Sequence, residues 1–390
     1  MTPRDQLDPA ALTALRRDLE DNVEGDVRFE RFFRGMHSTD ASVYQIIPLG
    51  VVAPRSRDDV VRVVELCSKH GASITARGGG TSQAGQAIGP GLQLDFSRHM
   101  NRLLDIDIEG RTVRVEPGMV LDELNARLKP HGLQLPLDLS TSSRATIGGM
   151  IANNSAGTRS IVYGKTIDYV EELEVVLADA TSVTMQALDE DAQREKSDRD
   201  DLEGTCYRLM QELGTKHQDE IRIRYPKIQR RVGGYNLDEF TPADKPLNLC
   251  RIMVGSEGTL GLTVAAKLRL VPLPECRIVC CVQFTDVLEA MAATPVILQH
   301  EPSAIELVDR FILDSTQGRI EFESLRAFIQ GDPGAVLLVE FFDDDPARID
   351  RLAADLEQRV GDLPKRAETH GFHQHHEHVA AFKCGLLEPL

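Results

Sequence analysis

Apolar residues recur at helical spacing in several separate windows of the chain. Leu12, Leu15 and Leu19 share one face of a helix over Asp8–Glu20. Ser56-Arg57-Asp58-Asp59 reads as a capping box, with Ser56 bonding the third amide and Asp59 reaching back. The helix that follows buries Val60, Val63, Val64 and Cys67 and stops at Gly71. Extended runs at Tyr44–Ala53 and Ala72–Ala76 flank it, which predicts a right-handed β-α-β unit. Strand patterns continue at Leu92–Asp95, Thr112–Glu116 and Glu171–Leu177, with short helices at Leu121–Lys129 and Leu202–Leu213. Ala187–Asp201 reads as a polar loop, and Arg251–Val254 and Val264–Leu270 as strands. Further on, Arg277–Phe284 and Ala335–Phe342 alternate as strands, and Ala347–Val360 is amphipathic through Ile349, Leu352, Leu356 and Val360. Such a mixture predicts an α+β architecture.

Three glycine-rich tracts interrupt these elements. The first, Arg77-Gly78-Gly79-Gly80-Thr81-Ser82-Gln83-Ala84-Gly85, lies between two strand-like runs. Glycine accepts positive φ and brings no side chain, so successive N–H groups can turn inward around an anion such as a diphosphate. Neither familiar phosphate loop fits. A dinucleotide fingerprint starting at Gly78 needs glycine where Gln83 stands, and a P-loop starting at Gly80 meets Gln86 and Ala87 where Lys and Ser/Thr belong. A Gly-rich hairpin with no ligand is the alternative. The second tract, Ser140–Gly157, is dense in hydroxyls and carboxamides and can let a large planar ligand lie against backbone. The third is Gly255-Ser256-Glu257-Gly258-Thr259-Leu260-Gly261-Leu262-Thr263. One extended ligand explains three such tracts better than three unrelated turns.

Charge and cysteine content narrow the class. The 390 residues carry 44 basic and 61 acidic side chains, a net charge of −17. That balance argues against a nucleic-acid partner or an anionic-membrane anchor, and an anionic substrate then needs a local basic pocket. Seven cysteines without C-x-x-C spacing read as reduced, structural thiols. There is no apolar stretch of membrane-spanning length and no signal-peptide pattern at the start, so a cytoplasmic location is expected.

Together the tracts resemble the FAD-binding domain of the vanillyl-alcohol oxidase/p-cresol methylhydroxylase (PCMH-type) group. The resemblance rests on Arg77–Gly85, Ala145–Gly149 with Asn153–Gly157, Tyr163-Gly164 with Asp168, and Gly255–Gly261, in that order. Ser38-Thr39-Asp40, Ser97–Arg102 and the Leu139–Met150 tract look most like the large FAD-linked members that use D-2-hydroxyglutarate or D-lactate-type substrates. It implies an N-terminal helical extension over 1–43, a PCMH-type FAD-binding domain of two α+β subdomains over 44–272, and the start of an α+β cap domain over 273–390. It further implies that Gly78, Gly79, Gly80, Thr81 and Ser82 take the pyrophosphate. Ser140, Thr141, Thr146, Gly148, Asn153, Asn154, Ser155 and Ala156 would line the ribityl and flavin face, and Glu257, Gly258, Thr259, Gly261, Leu262 and Thr263 would close near the adenine. Relatives with covalent flavin carry histidine in the glycine loop, where this chain has Thr81-Ser82, so FAD is expected to be held non-covalently.

The implied chemistry is hydride transfer from a D-2-hydroxy acid to flavin N5, giving a 2-oxo acid. Electrons would pass to a separate acceptor protein or a downstream iron–sulfur region. Family residues for substrate, metal and cluster lie beyond Leu390 in longer members, so the chain reads as the flavin half of a larger enzyme and no catalytic base is assigned. Ala381–Leu387 resembles a family stretch but has Phe382 in place of arginine. His370, His373, His375, His376 and His378 with Glu377 read as a polar helix end rather than a metal site. Arg230 or Tyr235 is a candidate to face the flavin, against the simpler reading of a solvated basic turn. Two other functions are open: a sugar-alcohol oxidase on the same fold, and a flavin-binding electron-transfer subunit.

Overall fold

The computed structural model describes residues 7–241 and 246–361 and the backbone of strand 383–386. The chain divides into two compact units, one comprising residues 1–157 and 164–272, the other 158–163 and 273–390.

The first unit opens with α1 (Pro9–Asn22), β1 (Asp26–Arg28), α2 (Arg31–Met36), β2 (Gly50–Ala53), α3 (Arg57–His70), β3 (Ile74–Arg77) and β4 (Leu92–Asp95). The strands form one sheet in the order β1-β2-β4-β3, with β4 parallel to both β2 and β3. Of the apolar run that begins at Tyr44, only Gly50–Ala53 is a strand, and Val43, Tyr44 and Ile47 are exposed. Leu15 and Leu19 of α1, Val60, Val63, Val64 and Cys67 of α3, and Leu92 and Leu94 of β4 share one core. Gly71 ends α3 in the left-handed region, φ +72°. The capping box is only half formed. Ser56 Oγ accepts from Asp59 N at 3.3 Å, but the Asp59 carboxylate turns to the N–H groups of Glu24 and Arg55, each at 2.8 Å.

A second sheet follows, built from β5 (Leu103–Asp107), β6 (Thr112–Val115), β8 (Val170–Val176), β9 (Ser182–Leu188), β10 (Leu247–Asn248) and β11 (Leu262–Arg269). Its order is β10-β9-β8-β11-β6-β5, antiparallel throughout. The short strands β7 (Leu133–Gln134) and β12 (Val271–Pro272) pair beside it. Helices α4 (Leu121–Leu128) and α5 (Ile147–Asn153) precede β8, and α7 (Glu190–Ser197), α8 (Leu202–Lys216), α9 (Gln218–Arg224) and α10 (Cys250–Met253) lie between β9 and β11. Three sequence readings change here. The polar stretch 187–201 contains α7, started by the Asp189 side chain accepting from Ala192 N. The Ser/Asn-rich tract contains α5, which Thr146 caps. Residues Arg251–Val254 are helical rather than extended, so the third glycine tract joins a helix to a strand.

The second unit is a four-stranded antiparallel sheet of β13 (Cys276–Phe284), β14 (Ala304–Asp309), β15 (Ala335–Asp343) and β16 (Lys383–Leu386), ordered β14-β15-β13-β16. One face carries Ile278, Cys280, Val282, Leu337, Val339 and Phe341 against α11 (Val287–Ile297) and α14 (Pro346–Gly361). The helices α12 (Arg310–Thr316) and α13 (Ile320–Glu323) lie between β14 and β15, and Leu313 of α12 packs with Cys281 and Val336 on the other face. The segment 158–163, containing α6 (Ser160–Tyr163), brings Arg159 into a two-pronged ion pair with Glu340, both contacts 2.9 Å. The histidine cluster 370–378 lies outside the described residues, as do Ala381 and Phe382. Among the described residues no helix is long and apolar enough to cross a membrane.

Asp59 holds two N–H groups from inside the core, whereas Ser56 makes one marginal cap. Asp59→Ala should therefore lower the unfolding free energy by about 2–3 kcal/mol and Ser56→Ala by about 1 kcal/mol, measured by urea denaturation. The reverse order would contradict this assignment.

Candidate cofactor-binding site

The glycine loop follows β3 directly and leads into the parallel strand β4 without an intervening helix. Anion contacts from this loop must therefore come from loop amides rather than a helix N-terminus. The loop sits against the start of α5 so closely that side chains are excluded. A Cβ on Gly78 would lie 2.0 Å from Thr146 Oγ1, and one on Gly79 would lie 2.1 Å from the Arg144 carbonyl oxygen. Gly80, at φ +66°, lies beside the Arg77 guanidinium, where a Cβ would fall 2.5 Å from Nη2.

The third tract is fastened to the far end of α5. Gly255 N donates to Ile151 O at 2.9 Å, and Glu257 N donates to Ala152 O at 3.0 Å. The left-handed Asn154 (φ +48°) ends α5, and its Oδ1 accepts from Ile167 N. Across the opening, Gln86 Nε2 lies 3.5 Å from Glu257 Oε1.

These three tracts border a solvent-open cleft. Of the candidate residues, Gly78, Thr146, Gly148, Gly258, Gly261, Leu262 and Thr263 line it. Gly79, Gly80, Thr81 and Ser82 continue the loop, while Asn153, Asn154, Ser155 and Ala156 form the exit from α5. Ser140 and Thr141 lie in the turn before α5, and Glu257 and Thr259 are exposed on the third tract. None of these last four is in the cleft lining. Arg230 donates to Gly157 O at 2.8 Å, and the Tyr235 hydroxyl lies 2.7 Å from Thr259 Oγ1. Both thus brace tracts two and three instead of lining the cleft.

Sequence reasoning missed other lining residues, among them Arg77, Phe96, Pro117, Ile151 and Met253. Pro117 packs on α5, where a Cβ on Gly148 would come within 2.7 Å of its ring. Arg77 is the only charged side chain in the lining. Burial lowers its pKa, against the opposing pull of Asp95 and Asp40. Burial also works to raise Asp95, but hydrogen bonds from His37 and Ser97 outweigh it and its carboxyl titrates below the ordinary value. Elsewhere in this unit, burial pushes the Cys67 and Cys250 thiols up to about 12, which keeps them protonated.

The residues fit a large, flat, anion-bearing molecule such as FAD. Walls of bare backbone admit close approach, and apolar side chains such as Phe96, Ile151 and Met253 share the lining with Arg77, Thr146, Ser256 and Thr263. Comparison with known proteins agrees. Residues 48–186 match the family described as FAD binding domain, and residues 273–376 match FAD linked oxidases, C-terminal domain. The chain thus carries an FAD-binding domain joined to the C-terminal domain of the FAD-linked oxidases, and its α+β fold is of the PCMH type.

Among named proteins, it is 36% identical over 348 residues to D-2-hydroxyglutarate dehydrogenase of Pseudomonas putida, covering 87% of this chain and 34% of that one. It is also 36% identical over 334 residues to the Pantoea ananatis enzyme of the same name, covering 84% and 33% respectively. The chain therefore spans about a third of the length of these relatives. A solved alkyldihydroxyacetonephosphate synthase shares the fold, with TM-score 0.64 and 19% identity over 91% of this chain and 59% of that one.

Two outcomes follow from the geometry. Gly78→Ala should abolish retention of FAD, and adding Thr146→Ala should restore part of it by removing the clash while giving up about 1 kcal/mol of helix cap. Flavin content after gel filtration reads this, and a double variant no better than the single one would refute the contact. For Asp95, a folded pKa below the unfolded one means its contribution to stability is complete above about pH 4 and is lost as pH falls through the folded value. Asp95→Asn should thus be less stable at neutral pH and lose less on acidification, as thermal melts from pH 7 to 3 would show.

Proposed function

We propose that this chain holds FAD non-covalently in the cleft and serves the oxidation of a D-2-hydroxy acid to a 2-oxo acid, with electrons passed to a separate acceptor. The observation that carries the reading is the meeting of three side-chain-poor tracts around one apolar cleft with a single cation. FAD, when bound, supplies the hydride acceptor at flavin N5. The chain's own residues bind and orient. Amides of Gly78–Ser82 hold the diphosphate, and Thr146 and Gly148 set the wall it lies against. Residues Gly258–Thr263 border the same cleft and close the adenine end.

The substrate class rests on similarity to proteins named D-2-hydroxyglutarate dehydrogenase. The net charge of −17 and protonated buried thiols support a cytoplasmic location. Acid precipitation should leave the flavin in the supernatant. Under anaerobic conditions, D-2-hydroxyglutarate added to the FAD-loaded protein should bleach the visible flavin absorbance while the L-enantiomer does not. Flavin in the acid pellet would refute the non-covalent site, and no bleaching by any D-2-hydroxy acid would refute the activity of this chain.

A further inference from the structure

Arg77 supplies the cation of the cleft lining and stands at the entrance to the glycine loop. Its main chain finishes β3, paired in register with Asp95, and its carbonyl accepts from Phe96 N at 3.0 Å. Its side chain then turns back beneath the loop. Nη1 donates to Ala87 O at 3.0 Å, beyond the glycines, and Nη2 donates to Thr39 O at 2.8 Å, in the segment before β2. Between these two contacts the guanidinium supports the backbone of Gly80. Asp40 fastens the same corner, since its Oδ2 lies 3.4 Å from Ala87 N and its Oδ1 2.9 Å from Ser42 N. Asp95 is in turn held by His37 at 3.2 Å and by Ser97.

We infer that Arg77 is the positioning residue of the diphosphate loop: its planar fork ties the loop's exit to the N-terminal segment, holds Gly80 in its left-handed turn, and sets one positive charge against the cleft. The inference rests on the FAD reading only for the identity of the anion. A guanidinium suits the task because its donors are fixed in a plane and can serve two carbonyls at once while remaining charged when buried. Lysine offers a single flexible ammonium, which keeps the charge and loses the two-point brace. Glycine at position 80 is required twice over, by its positive φ and by the arginine beneath it.

The test uses the whole chain with Arg77→Lys and Arg77→Met. Two quantities are read: FAD affinity of the apo-protein by flavin fluorescence quenching, and amide hydrogen exchange over residues 78–91 without FAD. Loss of a charge-assisted contact predicts FAD binding about 10-fold weaker for Arg77→Lys and about 100-fold weaker for Arg77→Met. Exchange over the loop should quicken in both variants, while exchange in β8 and β11 stays as in the parent. An Arg77→Lys protein that binds FAD like the parent, or unchanged loop exchange in both variants, would overturn the proposal. The exchange readout needs no cofactor. A parent chain that fails to take up FAD would therefore refute the FAD reading while leaving the brace to be judged by loop exchange alone.

Discussion

The structure of the first unit depends on one close approach, that of the glycine-loop backbone to the residues that begin α5. Gly79 faces a carbonyl oxygen and Gly78 faces the capping hydroxyl of Thr146 at separations no β-carbon could occupy. Everything else at the cleft is referenced to α5. Its first turn sets the loop, and its last carbonyls, on Ile151 and Ala152, receive the N–H groups of Gly255 and Glu257. A seven-residue helix thus fixes two distant segments of chain. Its stability comes from Ile147, Met150 and Ile151, all buried, because so short a helix would not persist alone.

The electrostatics follow from the same geometry. A chain of net charge −17 is a poor host for a dianionic diphosphate unless the field is reversed locally. Here the reversal does not come from a basic patch. Among the described residues, Arg77 is the one charged side chain of the cleft lining, and the glycine-loop amides beside it are partly open to solvent. Asp40 and Asp95 stand behind Arg77 and keep that cation in place without entering the lining.

Much of this was legible in the sequence because glycine marks backbone approach directly. The tracts at 77–85, 140–157 and 255–263 were visible as side-chain-poor segments, and their partnership follows once a shared ligand is supposed. What was not legible is informative. The helix α5 is hidden because Gly148 and Gly149 are poor helix formers, and Gly148 is explained by Pro117, which leaves no room for a Cβ there. The turn of helix at Cys250–Met253 reads as strand because so short a run, with three of its four residues buried, shows no period. Asp59 was read as a cap, since nothing local reveals that Glu24 N competes for its carboxylate. Arg77 was quoted only as the first letter of a glycine motif. Its partners, Thr39 and Ala87, are fixed by tertiary structure alone.

The second unit applies a different constraint to the same stretch of chain. Immediately after the exit from α5, residues 158–163 belong to that unit, and there Arg159 clamps Glu340 while its guanidinium lies 4.8 Å above the Phe342 ring. Arg277 approaches the same carboxylate at 3.4 Å. A nearly buried carboxylate shared by two arginines is weak evidence for stability, because desolvation offsets most of the attraction. Its geometric content is larger. Two parallel hydrogen bonds admit one orientation of the Arg159 fork, so the register of 158–163 on β15 is fixed to within a residue. Within the first unit, Asn154 Oδ1 accepts from Ile167 N, Ser155 O accepts from Thr166 N and Gly157 O accepts from Arg230, so polar partners define the path of a segment poor in large apolar side chains.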